Sequence, residues 1–135
     1  MAAGYSGTPQ AHKLGLNPGQ RVSLDEPPEQ WALSDPPADL IYVEAPEPAD
    51  VIIGFFTAAE QLAGRLPSLT QRIHPSGALW IAWPLRAGGH TSDITDKIVR
   101  SEALALGVVD VKVAAIDEDW SGQRVVWRTA NRGRT

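Results

Sequence analysis

A chain of 135 residues with 43% hydrophobic residues and no cysteine has the size and apolar content of one folded domain, residues 1–135. It has no group for a disulfide framework, a thiolate metal site or a cysteine nucleophile. The formal charge of −4 is unevenly placed: nine acids fall from Asp25 to Glu60 with no base between Arg21 and Arg65, which disfavours phosphates and nucleic acid as partners. No apolar run approaches the ~20 residues that cross a bilayer. The opening MAAGYSGTPQAHK has neither a basic n-region nor an apolar h-region, so the reading is a cytoplasmic protein with no membrane partner.

After flexible residues 1–7, Thr8 is placed to cap a short helix with Pro9 at its first position and Gly15 at its end. Asn17-Pro18-Gly19 turns the chain into a brief strand from Arg21 to Leu24. Six of the eleven prolines lie between Pro27 and Pro48, which leaves room for no more than a helical turn around Glu29 to Leu33. Leu40 to Glu44 reads as a strand, and Val51 to Phe56 (VIIGFF) as one buried on both faces, which requires a parallel, helix-covered sheet.

Thr57 and Glu60 match a capping box ahead of a helix with Leu62, Leu66, Leu69 and Ile73 on one face, kinked or split at Pro67. His74 to Gly77 is a turn, and Leu79 to Trp83 (LWIAW) is a second doubly buried strand. A Gly88-Gly89 loop leads to a helix capped by Thr91, Ser92 or Asp93. That helix buries Ile94, Ile98 or Val99, and Leu104 or Leu106, and ends at Gly107. Val109 to Ala115 alternates like a half-exposed strand, and with a turn at Ser121-Gly122 it pairs in a hairpin with Val125 and Trp127. Arg124, Arg128, Arg132 and Arg134 read as a solvated strand face and a frayed tail from residue 130 rather than a nucleic-acid patch.

Together these elements predict an α/β fold, a three-layer α/β/α sandwich with a Rossmann-like, mostly parallel sheet and a C-terminal antiparallel hairpin. This layout resembles class I S-adenosylmethionine-dependent methyltransferases, with local likeness at LGLNPGQRVSL (14–24) and HPSGALW (74–80). A likeness over nearly the whole chain is to the bacterial domain of unknown function 3052 family, carried by YSGTP (5–9), KLGLNPG (13–19), LWIAWP (79–84), SDIT (92–95) and VDVKVAAIDEDWSG (109–122). That resemblance implies a short stand-alone protein of this fold and no particular activity.

The methyltransferase likeness implies that Asp25 and Glu44 match the acids that follow the first strand and hold the cofactor ribose. Against this, the position of the glycine-rich cofactor loop reads Asp25-Glu26-Pro27-Pro28, which removes two N–H donors and adds two negative charges. Thr57-Ala58-Ala59 replaces the Asn or Asp with Pro-Pro of amino-methylating enzymes, and the stretch from Glu44 to Val51 is too short for a helix, strand and helix. No catalytic residue and no cofactor are expected; S-adenosylmethionine is disfavoured without being excluded.

Ligands of open α/β sheets sit outside the carboxyl ends of the strands. That rule gathers Asp25, Glu26, Thr57, Pro84, Arg86, His90 and Asp93 as a candidate rim, with Arg86 and His90 around the glycine pair as an anion or small-molecule loop. His12, His74 and His90 are too scattered for a metal, and Ser6, His90 and Asp25 lack the G-x-S-x-G elbow of a triad. Trp80 and Trp83, three apart, face opposite sides of the sheet; Trp120, in an acidic turn, folds back or meets a partner. The expected function is non-catalytic binding of a small molecule or protein by a degenerate methyltransferase-like domain, monomer or homodimer. The alternative is a divergent methyltransferase.

Overall fold

The structure, a computed structural model, describes residues 9–85 and 92–133. The elements in chain order are α1 (Gln10–Leu14), β1 (Arg21–Asp25), β2 (Ile41–Tyr42), β3 (Val51–Phe55), α2 (Glu60–Arg72), β4 (Ala78–Pro84), α3 (Asp96–Leu106), β5 (Val108–Ala115), β6 (Trp120–Trp127) and α4 (Thr129–Arg132). One six-stranded sheet runs β2-β1-β3-β4-β6-β5, parallel from β2 to β4 and antiparallel at β6 and β5. No described helix is long and apolar enough to cross a membrane.

The two runs without a polar face are the sheet's centre. On one side Ile52, Leu79, Ile81 and Trp83 meet Leu62, Leu66, Leu69 and Ile73 of the α2 region and Val99 and Ala103 of α3. On the other, Val51, Ile53, Phe55 and Trp80 meet Leu14 and Leu16 together with Trp31, Leu33 and Leu40. This second outer layer therefore consists of the one-turn α1 and the proline-rich passage, not of long helices. Trp80 and Trp83 do face opposite sides, and the Trp80 indole N–H donates to the Leu14 carbonyl at 3.0 Å.

Several local expectations are corrected. Pro28 to Trp31 is a turn, not a helix, with Gln30 at φ 65°. Strand β2 holds only Ile41 and Tyr42, because a turn bonding Glu47 N–H to the Glu44 carbonyl ends it. Helix α2 runs unbroken through Pro67, its packed leucines outweighing the roughly 3 kcal/mol such a proline costs. Its first turn has no Thr57–Glu60 capping box. Gln61 Oε1 accepts from Thr57 N–H (2.8 Å) and Ala58 N–H (3.3 Å), and Asp93 Oδ1 accepts from Ala59 N–H (2.8 Å). Thr8 and Thr91, expected as caps, and the Gly88-Gly89 loop lie outside the described residues.

Helix α3 is capped by Thr95, whose hydroxyl accepts from Ile98 N–H at 3.2 Å, rather than by Ser92 or Asp93. The apolar stripe follows Val99 and Ala103, which leaves Leu104 exposed. Replacing Thr95 with Ala is expected to lower stability by about 1 kcal/mol in urea unfolding. The hairpin turn spans residues 116–119 instead of Ser121-Gly122: Asp117 Oδ1 accepts from Asp119 N–H (2.8 Å) and Trp120 N–H (2.9 Å). A register shift between Asp110 and Lys112 interrupts the alternation in β5, and Val111 and Val113 are exposed. At the end of the described chain, in α4, Arg132 donates to the Trp127 carbonyl (2.9 Å) and Asn131 to that of Gly107 (3.0 Å).

Polar side chains fasten α1 to the end of the hairpin. Gln10 donates to the Ile116 carbonyl and Lys13 to that of Ala115, both at 2.9 Å. Burial, and secondarily the nearby Lys112, hold the Lys13 ammonium below its ordinary 10.5. The unfolded chain thus binds this proton more tightly. Stability attributable to Lys13 is expected to rise as pH climbs through its depressed folded value toward 10.5, and Lys13→Met should remove that rise from the pH dependence of the urea midpoint.

Candidate functional site

Because β1, β3 and β4 are parallel, their carboxyl ends share one rim, and Asp25 lies beside Gly54 in register. Helix α2 starts five residues after β3, so Gln61 and Arg65, one turn apart, return over that rim. Arg65 bridges the ends of two neighbouring strands. Its guanidinium pairs with the Asp25 carboxylate, donates to the Phe55 carbonyl at 2.7 Å and lies 4.0 Å from the centre of the Phe56 ring. Both members of the pair are three-quarters buried.

Beside this pair is an open crevice of about 360 Å³ whose walls include Pro28, Phe55, Thr57, Gln61, Arg65 and Trp120. Phe55 is flanked edge-on by Trp31 (4.9 Å) and Trp120 (5.0 Å), and Trp31 donates its indole N–H to Asp117 Oδ2 at 2.8 Å. Trp120 thus folds back onto the sheet, and the proline-rich passage is pinned to the hairpin turn. The result is a small aromatic wall facing a guanidinium and an amide, suited to holding an apolar or planar group.

The candidate rim residues are distributed as follows. Asp25 is held by Arg65; exposed Glu26, at φ 52°, borders the crevice with Thr57. Pro84 pairs with Trp120 at the end of β4. Glu44 is exposed beyond β2 and does not border the crevice. Asp93 serves α2 as a cap. Arg86 and His90 lie outside the described residues. Among the described residues no group of three or more His, Asp or Glu is arranged to hold a metal ion, and His74 bonds the Asn131 carbonyl. Sequence reasoning missed Arg65, Gln61, Phe55 and Trp31. The available signal for Arg65 was its position as the first base after nine acids.

Strand order, parallel centre and antiparallel hairpin define a methyltransferase-like Rossmann α/β fold. Two solved structures give the comparison. A Thermoplasma acidophilum protein regarded as a methyltransferase superposes at a TM-score of 0.51 with 8% identity, over 84% of this chain and 70% of that one. A point variant of LepI in complex with SAH and a substrate analogue superposes at 0.52 with 10% identity, over 87% of this chain and 39% of that one. Such identities carry likeness of fold alone. No family model and no curated protein sequence matches the chain.

Proposed function

We propose that this chain is a non-catalytic binding domain on a methyltransferase-like scaffold, with no S-adenosylmethionine site. The observation that supports this reading is Arg65, which lies across the ends of β1 and β3 by bonding Asp25 and the Phe55 carbonyl. A nucleoside cofactor at that rim would have to displace a three-quarters-buried ion pair. The following Pro27 and Pro28 offer it no N–H. What remains open is the aromatic crevice, which fits a small apolar group or a protein side chain.

The five segments 5–9, 13–19, 79–84, 92–95 and 109–122 support membership of the bacterial domain of unknown function 3052 family, and the absence of cysteine suits a cytoplasmic setting. Neither S-adenosylmethionine nor SAH should raise the thermal midpoint, and a dose-dependent rise with either would overturn the proposal. The second reading, a divergent methyltransferase using Asp25 and Glu44, draws on the presence of SAH in the LepI structure and makes the opposite forecast.

A further inference from the structure

A larger cavity, about 540 Å³, borders Asp25 between the 45–48 passage and the last turns of α2. Pro46, Pro48 and Leu69 give it an apolar wall; Asp25, Gln71 and Arg72 give it a polar end. Its volume is within the range of small-molecule sites. Arg72 is only 6% exposed, and its hydrogen bonds go to neutral acceptors, the Glu47 carbonyl (2.7 Å) and the Ser23 hydroxyl (2.9 Å).

The carboxylates around Arg72 already have cations. Asp25 is paired with Arg65, and Glu47 with Arg21 at 3.0 Å. Arg72 has no carboxylate within ion-pair distance among the described residues, and its Nη1 donates no hydrogen bond there. With its hydrogen bonds on neutral partners, this buried guanidinium is compensated only in part, through space, by Asp25 and Glu47, and burial lowers its pKa despite them. A carboxylate is the complementary group for the planar fork. A phosphate dianion fits less well, because the Asp25 carboxylate borders the same space.

We infer that this cavity is a binding site for an organic monocarboxylate, its carboxylate on Arg72 and its apolar body against Pro46, Pro48 and Leu69. The inference goes beyond the closed rim, since it holds whether or not that rim admits a nucleoside. Phenylacetate is the probe, with phenylacetamide as its neutral isostere and inorganic phosphate as the alternative anion. In amide-detected NMR titrations of the full chain, phenylacetate should shift the resonances of Leu69, Gln71 and Arg72 saturably, with a Kd on the order of 1 mM or tighter. Phenylacetamide and phosphate should shift them at least tenfold more weakly.

Arg72→Met should abolish the phenylacetate response, and Leu69→Ala, which keeps the charge and shortens the apolar wall, should weaken it severalfold. The wild-type titration decides the matter even where a variant fails to fold. No saturable shift, shifts confined to other parts of the chain, or equal shifts with phenylacetamide or phosphate would each overturn the assignment. SAH binding tests the earlier reading separately, so the two can fail independently.

Discussion

Replacing Trp80 with Ala is expected to remove about 3–5 kcal/mol of stability, much of what a domain of this size has. The side chain is fully buried in the middle of β4. It also forms the floor of the layer made by α1 and the proline-rich passage, a layer with no long helix to compensate. Losing the indole leaves a cavity under Leu14 and Ile116 and an unpaired Leu14 carbonyl. Trp80→Phe keeps most of the volume and loses the hydrogen bond, so it should cost markedly less. Urea unfolding followed by far-ultraviolet circular dichroism measures both; similar stability for Trp80→Ala and wild type would mean that this layer is not packed on β4.

Gly77→Ala is expected to cost about 3 kcal/mol, at the upper end of overpacking effects. A Cβ there would lie 2.9 Å from the carbonyl oxygens of Ala49 and Asp50 and 3.0 Å from that of Ile73. These are backbone atoms and cannot turn aside. Ala78 N–H bonds the Asp50 carbonyl and Gly77 N–H that of Ile73, so the clash falls where α2, β3 and β4 are tied together. Gly64 is the internal contrast: it is exposed in α2 with nothing within 4 Å of its Cβ position. Gly64→Ala should therefore stabilise by up to about 1 kcal/mol. The opposite signs, read from urea midpoints, separate a packing glycine from a merely tolerated one.

Signals carried by neighbours in sequence were legible. The apolar runs VIIGFF and LWIAW gave the buried parallel strands, the 62–66–69–73 spacing gave the face of α2, and Gly107 marked the end of α3 at φ 92°. Features made by distant residues were not. The Asp25–Arg65 pair joins positions forty apart, and the α2 cap comes from Asp93, thirty-four residues beyond Ala59. Ser121-Gly122 has the composition of a turn, yet Gly122 sits inside β6, where a Cβ would lie 2.7 Å from Ile116 Cδ1. Its glycine answers packing, not chain reversal. Proline density correctly located the passage without helices, but composition alone gave no hint that Trp31 would pin that passage to Asp117.

The acidic stretch acquires a different meaning in three dimensions. Asp25 and Glu47 are each matched by an arginine, Arg65 and Arg21, while Asp50 accepts the Arg21 backbone N–H. These three acids therefore bind the chain to itself, while Glu26 and Glu44 stay exposed. Arg65 is the decisive member for the proposed function, because it lies across the ends of β1 and β3. Calorimetric titration of SAH into the full chain decides whether this pair excludes a nucleoside: no heat beyond dilution is expected, and a saturable one-to-one isotherm would overturn that role.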